Sequence, residues 1–245
     1  MEIVYSCQPM SGAVNEDFVL GTEDFVIVMD GCTSLTESTG CIHDVPWLVR
    51  RLGGHLFRAL TAEEGVPLRN ALADAINSVC ADHASTCDLS NPDSPSTTVA
   101  IVRRAGGWLD CLVLADSPVV VEMRDGSVAT VRDTQNAPLP GNNRDLRNTD
   151  AGFWVASTKP EAAAKCVTDR WPLDRLRRVA VLTDGVTRLV ERYGWTYEKL
   201  MHELDQSGPA ALIRTVREAE LATERGRFRG KHHDDATAVL CAFQS

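Results

Sequence analysis

Phe18-Val19-Leu20-Gly21-Thr22-Glu23-Asp24-Phe25-Val26-Ile27-Val28-Met29-Asp30-Gly31 decides the fold. Two apolar runs, residues 18–20 and 25–29, flank the polar Gly21-Thr22-Glu23-Asp24, which is the signature of a β-hairpin. The first run follows Glu16 and Asp17 directly, and the second ends on Asp30. With Leu20 opposite Phe25, position 16 lies nearly opposite position 29. The hairpin by itself then carries Glu16 and Asp30 to one end of a sheet.

Two helical patterns follow. Leu48, Leu52, Leu56 and Leu60 recur every four residues, and Leu68, Leu72, Ile76 and Val79 every three or four, so each helix has one apolar face that must pack on something flat. Strand-like runs come next. Residues 97–102 and 108–115 flank a turn at 103–107, and residues 119–123 and 128–131 flank Arg124-Asp125-Gly126-Ser127, where Asp-Gly is a strong turn signal. Pro118 stands just before a strand, where the missing N–H is tolerated. Residues 179–183 form a short strand, 198–205 and 209–221 form helices, and 236–243 form a last strand. Regular βαβ alternation is absent, which points to antiparallel sheets with helices packed outside them.

The 245 residues suit one large domain or two small ones. Residues 136–150, rich in Pro, Asn and Gly, read as a surface loop rather than a boundary, so 1–245 is taken as a single domain. Apolar residues at 44% and charged residues at 24% exclude disordered and fibrous classes. No run is long enough to span a bilayer, and Met1-Glu2-Ile3-Val4-Tyr5 carries no export signal, so a cytoplasmic protein without membrane contact is expected. A net charge of -9 repels a phosphate backbone and argues against nucleic-acid binding. The eight cysteines include no close C-x-x-C pair, so free thiols are expected, with Cys111 and Cys241 in the core, and spacing gives no support for a structural zinc site.

The acids fall in a pattern. Glu16 and Asp17 start a strand, while Asp30, Asp116 and Asp184 each follow one. Asp234 and Asp235 precede the last strand; if it runs antiparallel to 179–183, Asp234 meets Asp184. Gathered carboxylates repel one another and persist as anions only beside cations. All-oxygen ligands suit Mg²⁺ and Mn²⁺, and two such ions close together can activate a water for attack on phosphorus.

At these residues the sequence resembles the metal-dependent protein phosphatases, the PPM or type 2C family, as a divergent bacterial-type member. The similarity runs in order through Asn15-Glu16-Asp17, Val28-Met29-Asp30-Gly31, Ser96-Thr97-Thr98, Ala115-Asp116-Ser117, Leu182-Thr183-Asp184-Gly185 and Asp234-Asp235-Ala236-Thr237. The resemblance implies an α+β fold, a four-layer α/β/β/α sandwich of two antiparallel sheets flanked by helices. It implies two Mn²⁺ or Mg²⁺ ions with a possible third. Asp30 would bridge two of them. The Gly31 carbonyl and Glu16, directly or through water, would complete one, and Asp184 and Asp234 would ligate the other. Asp17 would hold coordinated water, and Asp116 with Asp184 would form the third site. A bridging water would attack phosphoserine or phosphothreonine with no covalent enzyme intermediate.

The sequence also departs from the family. Gly12 stands where most active members carry the arginine that grips phosphate, Cys32-Thr33 follow the first Asp-Gly, and Ala115-Asp116-Ser117-Pro118 replaces the usual Gly-Asp-Ser-Arg. Two readings follow: a phosphatase of phosphoproteins or of a small phosphomonoester, or a phosphatase-like binding domain that has lost catalysis. Arg225, Arg227, Arg229, Lys231, His232 and His233 form a basic loop that either replaces the missing arginine, with Arg229 and Lys231 on the phosphate, or is simply solvated. His43 is either a general acid oriented by Asp44 or an incidental neighbour of a helix capped by Asp44 with Pro46 in its first turn. Adjacent His232 and His233 on an extended chain point opposite ways and do not share a metal. Ser117 lacks a nucleophile motif, and Cys32 is either a redox-sensitive thiol or structural.

Overall fold

A computed structural model describes residues 1–34, 36, 38–62, 65–134 and 146–243. The opening hairpin is present as β2 (Phe18–Gly21) and β3 (Phe25–Met29). Its register differs from the expected one: Leu20 pairs with Ile27 and Phe18 with Met29. The cause lies in the turn, where the Thr22 N–H donates to the Phe25 carbonyl at 2.8 Å and the Thr22 hydroxyl accepts from the Phe25 N–H at 3.0 Å. Continued past the strand ends, this register sets Asp17 opposite Asp30 and Glu16 opposite Gly31. A shift of two residues leaves every side chain on its expected face.

The remaining strands are β1 (Glu2–Gln8), β4 (Gly31–Cys32), β5 (Ser96–Thr97), β6 (Val99–Ala105), β7 (Trp108–Leu114), β8 (Val119–Met123), β9 (Val128–Val131), β10 (Val167–Pro172), β11 (Leu176–Leu182) and β12 (Ala236–Ala242). The helices are α1 (Val45–Ala62), α2 (Leu68–His83), α3 (Ala162–Lys165), α4 (Asp184–Glu191), α5 (Tyr197–Ser207) and α6 (Pro209–Leu221). Two five-stranded sheets form, in the orders β1-β12-β11-β8-β9 and β10-β7-β6-β3-β2, and β4 pairs with β5. All these pairings are antiparallel.

Alternation along the strands builds four layers. Val26, Val28, Ala100 and Val102 of one sheet meet Val121, Val179, Val181 and Val239 of the other. The opposite face of β3, with Phe25, Ile27 and Met29, lies under Leu48, Leu52 and Leu56 of α1 and Leu72 and Ile76 of α2. On the outer face of the second sheet, Ala180, Leu182, Ala238 and Leu240 lie under α4, α5 and α6. Strands covered on both faces read as continuous apolar runs, which is why β3, β6 and β11 were legible.

Differences from the sequence reading have local causes. The run 97–102 breaks at Thr98, which exchanges bonds with Asp30: its N–H donates to the Asp30 carbonyl at 2.9 Å and its hydroxyl accepts from the Asp30 N–H at 3.0 Å. β6 continues to Ala105, and the turn to β7 is Gly106-Gly107, both at positive φ, as a two-residue hairpin turn requires. β1, β4, β10, α3 and α4 gave no expectation. Asp44 caps α1, its carboxylate accepting from the Trp47 N–H at 2.8 Å, with Pro46 in the first turn. All eight cysteines are free, and Cys111 and Cys241 are buried. The expected loop at 136–150 lies outside the described residues up to 145; beyond it, Arg147 and Asn148 are buried. No helix among the described residues is long and apolar enough to cross a membrane.

Glycine is required after Asp30 and after Asp184. A Cβ on Gly31 would sit 2.5 Å from the Glu16 carbonyl oxygen, and one on Gly185 would overlap the Asp235 carbonyl oxygen. Gly185→Ala is therefore expected to cost about 3 kcal/mol, lowering Tm by roughly 6–12 °C. Gly54→Ala, in the middle of α1 with nothing within 4 Å of the new carbon, is expected to raise stability by about 0.5–1 kcal/mol. Thermal melts of the two variants check this.

Candidate metal centre

The strand ends on one side of the sandwich carry the acids. Asp30 leaves β3 with its carbonyl oxygen fixed by the Thr97 hydroxyl at 2.9 Å and the Thr98 N–H at 2.9 Å. Asp17 enters β2 and reaches across to the other sheet. Its Oδ2 accepts from Thr183, just after β11, at 3.0 Å and from Thr237 of β12 at 2.7 Å. Asp184 is the first residue of α4. As expected from sequence, β12 runs antiparallel to β11, so the Asp234 segment arrives beside Asp184.

These carboxyls are desolvated together and feel one another. Burial, opposed by the Thr237 and Thr183 hydroxyls and reinforced by Asp235 and Asp184, raises Asp17 to about 7. Burial, then Asp234 and Asp116, raise Asp184 to about 6, against Arg188 and a hydrogen bond with Asp30. Asp30 is pushed well above the usual carboxylate range by burial and by Asp17, Asp184 and Asp116. Glu16 is raised by burial, and its carboxylate accepts from the Thr33 hydroxyl. Asp116 stands at the rim, partly in water; desolvation by the surrounding wall, then Glu191, Asp133 and Asp234, raise it. The second carboxylate oxygen of Asp17, Oδ1, is buried with no hydrogen-bond partner among the described residues.

Such a set fits hard divalent cations. It offers only oxygens, its charges repel, and one buried oxygen is unsatisfied within the protein. The donors are spread: among the described residues no three carboxylates converge within 4.8 Å as a closed single-ion cage would.

The supports behind the acids were not visible in the sequence. Both oxygens of Asp235 accept backbone N–H groups, from Met10 and from Glu16, each at 2.7 Å, and so pin the N-terminal segment to β12. Asp235 stands next to an expected ligand, and nothing in its local sequence reveals these partners. Behind Asp234 lies a buried ion network. Arg188 of α4, almost fully buried, donates to Glu220 at 2.7 Å and to Asp234 at 2.8 Å. Glu220 also accepts from Arg217 at 2.9 Å and meets His233 Nδ1 at 2.8 Å. Backbone carbonyls of the 229–234 segment are held by arginines: Arg229 and Lys231 by Arg192, His232 by Arg188, and Asp234 by Arg217.

The basic loop thus divides. Lys231 Nζ lies at the acids, 2.9 Å from Asp234 Oδ1 and 2.9 Å from the Thr33 hydroxyl. Arg229 is exposed and tied in through its carbonyl. Arg227 and Arg192 flank the Phe228 ring at 5.7 Å each. His232 and His233 do not point opposite ways: their rings meet edge-on at 4.4 Å, because the chain bends here, before β12 begins. His43 stacks on Trp47 at 3.9 Å and lies edge-on to His83 at 6.0 Å; none of its described contacts is with an acid of the cluster. Ser117 is fully buried, its hydroxyl 2.7 Å from that of Thr98, a structural bond. The Cys32 thiol is raised by burial to about 11, opposite to a reactive thiolate. Ala115 holds φ +68, a conformation glycine adopts freely, so the alanine here carries strain. Gly12 holds φ +79 in an open turn.

Known proteins resemble this chain in sequence and in fold. The sequence model of the family described as protein phosphatase 2C matches residues 10–221. No curated protein sequence matches. Among solved structures, PppA, a key regulatory component of T6SS in Pseudomonas aeruginosa, is 19% identical with a TM-score of 0.62, over 99% of this chain and 97% of that one. The serine/threonine phosphatase PstP/Ppp of Mycobacterium tuberculosis is 16% identical with a TM-score of 0.62, over 99% of each chain. The catalytic domain of PstP in complex with two manganese ions is 17% identical with a TM-score of 0.58, over 98% of this chain and 96% of that one. At these identities the structures share the fold.

A carboxyl whose folded pKa lies above its unfolded value binds a proton in the folded state alone across that interval, so stability falls as pH rises through it. For Asp17 and Asp184 the interval runs from about 4 to about 6–7. In EDTA, Tm is therefore expected to fall between pH 5 and pH 8. Asp17→Asn should flatten the slope, and Mn²⁺ should restore Tm at pH 8. Separately, Glu220→Gln strips the shared anion from Arg188, Arg217 and His233 and is expected to cost about 3 kcal/mol, read as a loss of roughly 6–12 °C in Tm.

Proposed function

The chain belongs to the protein phosphatase 2C family, and from that premise we propose that it hydrolyses phosphomonoesters at the carboxylate cluster with Mn²⁺ or Mg²⁺. Phosphoserine or phosphothreonine in a protein is the substrate class put first, with a small phosphorylated metabolite as the alternative. The observation that carries the reading is Asp17, Asp30 and Asp184 brought together by two different sheets, with one Asp17 oxygen buried and unpartnered.

In this reading Glu16, Asp17, Asp30, the Gly31 carbonyl, Asp184 and Asp234 hold two ions, and Asp116 with Asp184 supplies a third position. When bound, the cations lower the pKa of a coordinated water and neutralise charge on the phosphate. The protein's own groups do the rest. The backbone of Asp30 is held by Thr97 and Thr98, which fixes the point from which its carboxylate is presented. Arg188 holds Asp234 in place through a charged hydrogen bond. Lys231 stands at the mouth of the cluster with a charge suited to a phosphate oxygen. It takes the part that an arginine at position 12 plays elsewhere in the family. Gly12 favours no such residue, because φ +79 penalises any side chain with a Cβ.

Purified protein is expected to hydrolyse an aryl phosphate with Mn²⁺, to lose turnover in EDTA, and to lose it by more than about 10²-fold in Asp30→Asn and Asp184→Asn with the fold intact. Lys231→Met is expected to raise KM about tenfold with a smaller change in kcat, and Arg229→Ala to change KM less. A folded, Mn²⁺-binding protein with no turnover on aryl phosphate or phosphopeptides would refute the hydrolase reading and leave a phosphatase-like binding domain.

A further inference from the structure

Cys41, His83 and Cys87 meet where the loop after β4 crosses the end of α2. One donor atom from each lies within 4.8 Å of the other two, and the two sulfurs are 3.0 Å apart. The sequence hides the site because Cys41 stands 46 residues from Cys87.

The surroundings are arranged for ligation. His83 is buried, and its Nδ1 lies 2.6 Å from the Val79 carbonyl oxygen. A ring nitrogen against a carbonyl carries the proton, so the lone pair is on Nε2; a carbonyl at the far nitrogen is how metal-binding imidazoles are held in the ligating form. Backbone N–H groups are aimed at both sulfurs, Ile42 at Cys87 Sγ and His43 at Cys41 Sγ, each at 3.4 Å. Such donors stabilise thiolates. Trp47 closes one side, edge-on to His83 at 5.2 Å. The backbone is docked independently of the donors: the Asp88 N–H donates to the Gly40 carbonyl at 2.7 Å and Asn91 Nδ2 to the Ser38 carbonyl at 3.2 Å.

We propose that Cys41 Sγ, Cys87 Sγ and His83 Nε2 bind one zinc ion, with water in the fourth position. Two thiolates and an imidazole form a soft set that selects zinc, the reverse of the all-oxygen set around Asp30. On binding, the two thiols release two protons to solvent and zinc stays divalent, so no oxidant or reductant enters. On tetrahedral zinc the sulfurs would stand roughly 3.8 Å apart, a displacement of under about 1 Å. A Cys41–Cys87 disulfide would use the sulfurs alone and give the oriented His83 no part. The ion would brace the loop between β4 and α1, whose Thr33 touches Glu16 and Lys231.

The test is the zinc content of full-length protein purified with reductant and without chelator, measured by mass spectrometry, followed by Co²⁺ added to zinc-stripped protein. The expected result is about one zinc per chain and a thiolate-to-cobalt charge-transfer band. Cys41→Ser with Cys87→Ser should weaken zinc binding by roughly hundredfold or more, while Cys80→Ser, whose thiol faces the Thr158 carbonyl, should bind as wild type. Zinc retained in the double variant and lost in Asp30→Asn would overturn the proposal by placing the ion among the carboxylates. Absence of zinc with a Cys41–Cys87 disulfide mapped by peptide mass would overturn it in favour of a redox pair. If the double variant fails to fold, the cobalt spectrum of the wild-type chain decides, and a spectrum without the thiolate band overturns the proposal.

Discussion

Carboxylates taken out of water beside other carboxylates are costly to keep charged, and the strand ends of this sandwich gather several of them. Asp17 and Asp30 come from one sheet, Asp184 and Asp234 from the ends of the other, and desolvation lifts the first three toward neutrality. Within each sheet the neighbouring strand ends approach closely because glycine follows Asp30 and Asp184: a side chain would strike the Glu16 carbonyl at the first and the Asp235 carbonyl at the second. The two sheets are then fastened across the gap: Asp17 bonds Thr183 and Thr237, and Asp235 bonds the backbone of Met10 and Glu16. The arrangement that stresses the acids also ties the two sheets together, so the protonation of the acids and the stability of the fold are coupled at this end.

Positive charge is distributed behind the acids in an ordered way. Arg188 and Arg217 are spent on Glu220, Asp234 and backbone carbonyls, which makes them scaffold. Breaking such a buried pair is far more damaging than its net contribution suggests, because the partner is left charged and dry. Lys231 is different: part of its side chain is in solvent and it already contacts Asp234 and Thr33. Of the basic residues between 225 and 231, it is the one brought to the acids. The aromatic contact of Arg227 with Phe228 gives that residue a packing role.

The family's departures become intelligible in three dimensions. Gly12 sits at φ +79, a conformation that disfavours an arginine at this position. Ala115 adopts a conformation suited to the glycine common in relatives, and Ser117 beside it is locked to Thr98, which in turn orients Asp30. A short chain of hydroxyls therefore links the turn at Ala115–Ser117 to Asp30.

The sequence determined the elements whose burial is periodic or continuous: β3, β6, β7, β8, β11 and β12 as apolar runs, and α1 and α2 as stripes of leucine, isoleucine and valine. It also placed the acids at strand ends, because strand ends and turns are written in local chemistry. Of the edge strands, β2 and β9 were legible because each sits in a hairpin with a marked turn, while β1 and β10, which bury little and have no hairpin partner next to them in sequence, were silent. α4 was silent because Gly185, Val186 and Thr187 are weak helix formers, and its helix is imposed by packing on β11 and β12. The hairpin register was decided by hydrogen bonds within its turn. The role of Asp235, the Arg188–Glu220 network and the meeting of Cys41 with His83 and Cys87 were decided by tertiary structure alone. Each joins residues far apart in the chain, and local periodicity carries no information about which distant segments the topology brings together.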